Sequence, residues 1–341
     1  MPGLVKRALV LAKLEATEGT DAAPTASDTP VFSSQLIVDS PQVTVNGERV
    51  DRNLIRQTFS PLGHVIGQRS VTVTFGTELR GPGTAAPTQT SPLAENPLFV
   101  MAGLSPTYTA STCTYGFKTS NANPSSGTIY VYTDGLLYKI IGARSNVELQ
   151  AQVGQIGRFN WTIQGMLGRV LNTSGSEAGD VIVGSDLPAS PTFQALTVFP
   201  PPVLGATSVS VLGDASQVID GFNFAANTEV TPRPDITAAG GIKSFMLTGR
   251  NPTIRFSPEM VKRFGSAPAL DYWGKYLNSA VGAFNATIGS AVGNTIKVAS
   301  PNLLLANVTP GDRNGIRTLE CEAVCVTQTA AGDDEFTVVF T

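Results

Sequence analysis

Apolar and polar residues alternate along most of this chain, and helical periods are rare. Alternation with a period of two puts successive side chains on opposite faces of a strand, and runs rich in Val, Ile, Thr, Tyr and Phe favour strands. In the first half the pattern predicts strands at residues 35–45, 70–79, 128–141, 146–153 and 158–164. In the second half it predicts strands at residues 203–212, 216–224, 242–247, 253–256, 294–299, 315–326 and 335–341.

Two short segments favour helices. Residues 91–102 are followed directly by Gly103, and residues 268–278 form the counterpart in the second half. A glycine just after a helix is a common stop signal because it adopts the left-handed backbone conformation easily. One short helix against a mostly antiparallel sheet in each half predicts a mainly β (α+β) fold with sandwich-like layers.

Two stretches of the chain read as one segment used twice. Residues 39–78 align without a gap with residues 220–259, at a shift of 181. The identical positions are Asp39, Asn46, Glu48, Arg52, Ile55, Arg69, Thr72, Phe75 and Glu78, which recur as Asp220, Asn227, Glu229, Arg233, Ile236, Arg250, Thr253, Phe256 and Glu259. Because recurrence of this kind indicates a repeated structural unit, we expect two like domains at 1–170 and 196–341. A Gly-, Ser- and Pro-containing connector is predicted at 171–195.

A long excursion lies inside each copy of the repeat. About 24 residues, from 46 to 69, separate two strands that are expected to pair, and the equivalent stretch runs from 227 to 250. Loops of that length are usually functional or disordered, and the apolar content here is too high for a disordered tether. We therefore expect these excursions to reach neighbouring subunits. The predicted contact residues are Arg49, Asp51, Arg52, Ile55, Arg56, Phe59, Arg233, Asp235 and Ile236.

Composition is consistent with a protein that packs against copies of itself. Only 14% of the 341 residues are charged, against about 25% in typical soluble domains. A formal net charge of -3 excludes the strongly basic footprint of tight nucleic-acid binding. The apolar run at residues 8–12 is too short for a signal-peptide core, and no stretch reaches the length of a membrane-spanning helix. We therefore expect the protein to fold in a cytoplasm and not to insert into a membrane.

Candidate chemistry is sparse. The single histidine, His64, has no second histidine to help it bind a metal ion. No serine lies in a G-x-S-x-G motif, and no glycine-rich turn carries the Lys-Ser/Thr of a phosphate loop. The acidic run that begins at Asp333 lacks the alternating spacing of a calcium loop. The sequence therefore predicts no enzyme, no cofactor and no bound metal.

The three cysteines are predicted to be buried thiols. Cys321 and Cys325 are four residues apart in an apparent strand, which puts them about 13 Å apart at about 3.3 Å per residue. That separation excludes a disulfide between them. With Cys113, all three are expected to behave as small apolar side chains.

Three segments resemble the tail tube proteins of long-tailed bacteriophages. They are ALVLAKLEATEGTDAAPTASD from Ala8, RSVTVTFGTELRGPGTA from Arg69, and GTIYVYTDGLLYKIIGARSNVELQAQVGQIGRFNWTIQG from Gly127. In the second half, EVTPRPDITAAGGIKSFMLTGRNPTIRFSPE from Glu229, GDRNGIRTLECEAV from Gly311 and the closing GDDEFTVVF from Gly332 are similar to the C-terminal parts of longer members. The resemblance covers most of the first 165 residues and three segments of the second half.

The resemblance implies a β-sandwich or split-barrel tube domain with a flanking helix. It implies a long inter-strand loop, here 46–68 and 227–249, that contacts the next ring. A single tube domain would account for half the chain, so a duplicated subunit would close a pseudo-sixfold ring from three copies. A true hexamer, with the second half as an outer decoration, is the alternative. The implied partners are the chain itself, the tail tip or initiator, the tape measure and the tail terminator proteins, with assembly in the host bacterial cytoplasm and DNA passing through the lumen.

Two other classes remain as alternatives to a tube protein. A capsid decoration or tail-surface adhesion protein with immunoglobulin-like sandwiches would also be rich in strands. An outer-membrane porin would share the polar, acidic composition, but the chain lacks both a signal peptide and a regular outward apolar alternation. Location in the particle distinguishes a tube protein from a capsid decoration or tail-surface adhesion protein. Membrane fractionation distinguishes it from a porin.

Overall fold

The structure is a computed structural model, and it describes residues 8–25, 38–52, 54–55, 57–58, 60, 62–81, 83, 87–89, 92–119, 125–133, 136–168, 181–183, 208–238, 240–260, 270–291 and 293–341. The elements before residue 184 are β1 (Ala8–Leu14), β2 (Gln42–Val50), β3 (Val65–Glu78), α1 (Asn96–Met101), β4 (Leu104–Tyr108), β5 (Cys113–Phe117), β6 (Gly127–Thr133), β7 (Leu136–Gln152), β8 (Arg158–Leu167) and β9 (Val181–Val183). Those that follow are β10 (Ser208–Val211), β11 (Ile219–Ala225), β12 (Thr228–Pro234), β13 (Ile242–Arg250), β14 (Thr253–Pro258), α2 (Tyr272–Leu277), β15 (Val281–Ile288), β16 (Ile296–Arg313), β17 (Ile316–Val326) and β18 (Thr337–Phe340).

The predicted mainly β fold is confirmed. Sixteen strands form one sheet, with the main path β2-β3-β8-β7-β11-β14-β17-β16-β18-β5-β4, and β12 with β13 forms a separate two-stranded sheet. The two short helices lie inside the segments that the sequence predicted. Among the described residues, no helix is long and apolar enough to span a membrane.

Both halves of the chain contribute to the same sheet and the same core. The halves join where β7 pairs with β11, from Gln152 opposite Gly221 to Glu148 opposite Ala225. The main core cluster includes the side chains of Trp161 from β8 and Cys321 from β17. The alternation predicted from the sequence is seen directly in these strands, since every second residue from Phe159 to Ile163 and from Leu319 to Cys325 is buried.

The repeated segments form hairpins with one strand register. In the first, Gln42 lies opposite Thr74, and in the second Asn223 lies opposite Arg255. Farther along, Gly47 lies opposite Arg69, and the residues 181 positions later, Thr228 and Arg250, are also paired. A register shift interrupts both ladders within one residue of the same position.

A side-chain hydrogen bond recurs at the base of each hairpin. Asn46 Nδ2 donates to Thr72 Oγ1 over 3.2 Å, and Asn227 Nδ2 donates to Thr253 Oγ1 over 3.0 Å. The order of strands around the hairpins recurs as well. The first half runs β2-β3-β8-β7, with β6 and β1 extending from β7, and the second runs β11-β14-β17-β16, with β15 and β10 extending from β16.

Strands extend into both long excursions, which corrects the prediction of 24-residue loops. β2 continues to Val50 and β3 begins at Val65, while β12 and β13 are separated only by residues 235–241. These parts of the strands were not predicted because Gly47, Pro232 and Pro234 are unfavourable strand residues. The prolines are accommodated on β12, which has β13 as its only strand partner in the described part of the chain.

Three further differences from the predicted elements concern strands. The predicted strands at 128–141 and 146–153 correspond to β6 and to one uninterrupted 17-residue strand, β7. The apolar run at 8–12 is the buried part of β1, which pairs with β6. The short strand β9 pairs with β7 inside the segment predicted as the connector. The predicted boundaries at 170 and 195 lie outside the described residues and stay a prediction.

Candidate functional site

The predicted contact residues lie on two hairpins, which we call the first arm (residues 47–69) and the second arm (residues 228–250). Arg49 is on β2, whereas Asp51, Arg52 and Ile55 lie in the turn region that follows it. Arg233 is on β12, and Asp235 and Ile236 begin the turn of the second arm. Arg56 and Phe59 lie outside the described residues.

Each turn presents a fully exposed isoleucine. The relative exposure is 105% for Ile55 and 102% for Ile236, and the two positions are equivalent in the repeat. Full burial of such a side chain is worth about 1.5–3 kcal/mol, so neither residue contributes that energy to the fold of the isolated chain. Their equivalent placement makes them candidates for contact with another molecule.

Charged neighbours flank both isoleucines. Arg49 Nε lies 2.7 Å from Asp51 Oδ1, and both side chains are largely exposed. In the second arm, Asp235 Oδ1 accepts hydrogen bonds from the backbone N and the hydroxyl of Thr237, at 2.8 and 2.7 Å, and these bonds lower the pKa of Asp235. They form an Asx-type turn that fixes the backbone next to Ile236.

The first arm carries apolar side chains that the chain leaves half exposed. Val50, Val65 and Ile66 have 50%, 55% and 48% of their surface exposed, and Val45 at the base of the arm has 46%. Val50 lies opposite Val65, whereas Ile66 follows Val65 in the strand and faces the other way, so both faces of this narrow ribbon carry apolar side chains. An isolated two-stranded ribbon is marginally stable in water, so these side chains are a second set of candidate contacts.

The second arm, in contrast, packs against the first half of the chain. Ile242, Ser244 and Phe245 are buried, with 5%, 1% and 2% exposure. At the base of the arm, Thr228 N donates to Asn146 Oδ1 over 3.1 Å. Contacts from β13 reach β7, β8 and β3. The second arm is therefore an example of an arm that packs against a neighbouring sheet.

Arg144 on β7 binds the backbone of the second arm. Its Nε donates to the Phe245 carbonyl over 2.9 Å, and its Nη2 lies 2.9 Å from Glu18 Oε1. Burial lowers the pKa of the Arg144 guanidinium, and the Glu18 carboxylate opposes that shift. A buried charge of this kind is tolerated because it is hydrogen-bonded and paired.

The base of the first arm also touches the turn of the second arm. Arg69 N, at the end of the first arm, donates to Gly240 O in the turn of the second arm over 3.2 Å. A groove between them is lined by Asn46, Glu48 and Gln68 on one side and by Pro232 and Phe245 on the other. The sequence did not identify Arg144, Phe245 or the exposed valines of the first arm, and only the shared register of the repeat could have pointed to them.

The described residues contain no metal-binding cluster. No group of three or more His, Cys, Asp or Glu side chains in this part of the chain is placed to hold a metal ion. All three cysteines are buried and free, as predicted, and burial raises the pKa of Cys321 and Cys325 to about 12. Thiols with such pKa values are poor nucleophiles near neutral pH. His64 is exposed on the first arm.

Comparison with known proteins gives a family. No curated protein matches the sequence. A family model described as phage tail tube protein matches residues 6–327, which is nearly the whole chain. This match agrees with the mainly β fold and with the segments that resemble tube proteins. It places the protein in the tail of a bacteriophage particle, and the chain belongs to the phage tail tube protein family.

Proposed function

We propose that this protein is the subunit that assembles into stacked rings and forms the channel through which phage DNA is ejected into the host. Three chains would make one ring, and each would contribute two tube units. The observation that carries the proposal is the shared register of the two hairpins, combined with family membership over nearly the whole chain. A few copies with a closed heterologous contact form a ring, and repetition of the ring along an axis forms a tube.

The support for two tube units comes from strand pairing. The hairpins, their flanking strands and the side-chain hydrogen bond of Asn46 recur in the second half, and the order of strands in the sheet is the same. Since β7 and β11 pair, both units lie in one sheet. This arrangement favours three chains per ring over a hexamer in which the second half only decorates the exterior.

The charge of the chain suits a channel for DNA. DNA is a polyanion, and a chain with a formal net charge of -3 and few charged residues offers it few basic groups to bind. Basic surfaces bind DNA through release of counterions, which would slow its passage. We expect the tail tip or initiator to start the tube, the tape measure protein to occupy it, and the terminator to end it.

Assembly is tested with the purified full-length chain, alone and with the tail-tip initiator. Negative-stain microscopy should show rings or tubes, and rings should have three times the chain mass of 35.6 kDa. A ring of six chains would support the hexamer instead. A persistent monomer at high concentration and with the initiator present would contradict the proposal. Gold labelling of the virion along the tail shaft, and not on the head, distinguishes a tube subunit from a capsid decoration protein.

A further inference from the structure

We propose that Asn314 is a site of spontaneous chemical modification, at which its side-chain amide is lost as ammonia and the residue becomes aspartate or isoaspartate. The reacting groups belong to the chain itself, because the backbone N of Gly315 is the nucleophile. Water is the co-reactant. The inference goes beyond the proposed function and does not depend on assembly.

The sequence contains two Asn-Gly pairs, Asn46-Gly47 and Asn314-Gly315. Asparagine loses its amide when the backbone N of the next residue attacks the side-chain carbonyl carbon and closes a succinimide ring. Glycine in the second place favours this attack, because it has no Cβ to obstruct the approach and its backbone rotates freely. The two dipeptides are chemically alike, so a large difference between their rates has to come from the fold around them.

Asn314 lies in an exposed turn between two long strands. Arg313 of β16 lies opposite Ile316 of β17, so Asn314 and Gly315 alone form the turn. Both turn residues are exposed, and their φ angles are 53° and 83°. Apart from the neighbours of Gly315 in the chain, no atom lies within 4 Å of the place where a Cβ would be. The turn therefore leaves room for the rotation that brings the side chain of Asn314 to Gly315 N.

Asn46, in contrast, is held within a paired strand. Its Nδ2 donates to Thr72 Oγ1 over 3.2 Å, and Gly47 pairs with Arg69 on the neighbouring strand. A Cβ at Gly47 would lie only 2.9 Å from Ile66 Cγ2. Ring closure needs rotation of both the backbone and the side chain of the asparagine, which would disrupt this pairing. Asn46 can therefore react only when β2 opens locally.

The turn also supplies an acceptor for the proton of the attacking nitrogen. Gly315 N donates a hydrogen bond to Asp312 Oδ1 over 3.1 Å, and Asp312 is exposed. As the bond from Gly315 N to Asn314 Cγ forms, this proton passes to the carboxylate. The bond from Cγ to Nδ2 then breaks, and Nδ2 takes up the proton and leaves as ammonia. The carboxylate is thereby regenerated.

Water completes the conversion by opening the ring. Addition of water at Cγ restores the normal backbone and gives aspartate, whereas addition at the backbone carbonyl carbon of residue 314 gives isoaspartate. Either product puts a new negative charge next to Arg313, which already pairs with Asp220 and Glu259. Isoaspartate also lengthens the backbone of the two-residue turn by one methylene group. The protein therefore becomes a mixture of charge forms as it ages.

Peptide mass spectrometry compares the two Asn-Gly pairs within one molecule. The full-length, unassembled protein is aged at neutral and mildly alkaline pH, either folded or in urea. Cleavage after glutamate at mildly acidic pH then gives peptides 19–48 and 260–320. The mass gain of an exchange of NH2 for OH, located by fragmentation, measures the rate at each asparagine.

The structure predicts different rates for the two asparagines. In the folded chain we expect position 314 to react about 10-fold faster than position 46 or more, because Asn46 has to wait for local opening of its strand. In urea the two rates should become similar, because neither dipeptide is then held by the fold. Isoaspartate should form at position 314 together with aspartate, since ring opening gives both.

Three variants test the assignment of the reacting groups. Gly315→Ala should slow the reaction at position 314, because the added Cβ obstructs the attack. Asp312→Asn keeps the shape of the side chain and should slow the reaction by removing the proton acceptor. Thr72→Ala removes the hydrogen bond to Asn46 and should leave the rate at position 314 unchanged. Far-UV circular dichroism verifies that each variant keeps the fold.

The possible outcomes either support the inference or overturn it. Equal rates at the two positions in the folded chain, or a folded chain that reacts only at position 46, would overturn it. Aspartate without isoaspartate would mean direct hydrolysis of the amide and would exclude attack by Gly315. An unchanged rate in Asp312→Asn would exclude Asp312 as the proton acceptor. None of these outcomes affects the proposed role in the tube, which is tested separately by assembly.

Discussion

The two arms have related sequences and the same register but different surroundings. The second arm lies on the first half of its own chain, where Phe245 is buried and Arg144 binds its backbone. At the equivalent position, the first arm has His64, which is exposed. The second arm thus packs against the first half of its own chain, whereas the described side chains of the first arm stay largely exposed.

A local bend accompanies the difference. Asn227 has a φ of 46°, and Pro252 lies between β13 and β14, so the second arm forms its own small sheet. Asparagine adopts this left-handed conformation more readily than most residues. In the first arm β2 and β3 continue without interruption past the equivalent positions, Asn46 and Val71. The second arm therefore forms a separate two-stranded sheet, whereas the strands of the first arm belong to the large sheet.

The largest expected effect comes from the side chains at the equivalent positions of the two arms. Phe245→Ala removes a buried ring and should lower the free energy of unfolding by about 3–5 kcal/mol. His64→Ala changes an exposed side chain and should alter it by less than about 0.5 kcal/mol. Urea unfolding of dilute, unassembled protein measures both. Equal losses would mean that the first arm is also packed in the isolated chain.

The two helices give a second contrast, between the carboxylates of their N-cap residues. Asp271 Oδ1 accepts a hydrogen bond from Gly274 N at the start of α2, whereas Glu95, at the equivalent place before α1, is buried and makes no side-chain cap. Burial raises the pKa of Glu95 from 4.5 to about 7, and the nearby Arg80 opposes the shift. The folded state therefore retains a proton that the unfolded state loses.

This contrast predicts a pH dependence with a definite sign. The stability contributed by protonated Glu95 is complete below pH 4.5 and is lost as pH rises through about 7. Glu95→Gln should remove the dependence, so its stability relative to wild type should increase by up to about 3 kcal/mol across that range. Unfolding curves at several pH values measure the difference. Parallel profiles for the two proteins would show that Glu95 ionises normally in the fold.

The isoleucines at the ends of the arms should affect assembly and not folding. Ile55→Ser and Ile236→Ser should each change the free energy of unfolding by less than about 0.5 kcal/mol, because both side chains are fully exposed. If each isoleucine is buried against the next ring, its loss should raise the protein concentration needed for tube formation about 10-fold or more. Light scattering measures that concentration. A response to only one of the two substitutions would show that the arms do not contact the next ring equivalently.

Period-two alternation and the repeat predicted much of the fold. Buried strands such as β8 and β17 alternate cleanly, and the turn at Asn314 and Gly315 adopts positive φ at both residues, as an Asn-Gly hairpin turn requires. The outer part of β2 and all of β12 were missed because most of their residues are exposed, and no apolar alternation marks them. β1 was missed because its five buried residues form one apolar run, which has no period.

The candidate site was less predictable than the fold. The repeat identified the arms and the exposed isoleucines at their ends. The repeat did not show which arm is packed and which is exposed, because the packing depends on contacts distant in sequence, such as that of Arg144 with Phe245. The pairing of β7 with β11 likewise joins strands distant in sequence, which local patterns do not encode.

The smallest expected effect comes from the equivalent arginines Arg52 and Arg233, both of which are exposed. Arg52→Glu and Arg233→Glu should leave the fold intact, since exposed charge changes rarely unfold a domain. If these arginines contact the next ring, each reversal should shorten tubes, and added salt should reduce the difference because exposed charges are screened. Arg52→Lys and Arg233→Lys keep the charge and serve as matched controls. Tube lengths are measured by electron microscopy at low and high salt. Normal lengths for both Arg→Glu variants would show that the arms do not hold rings together through these arginines, and would leave the isoleucines as the stacking contact.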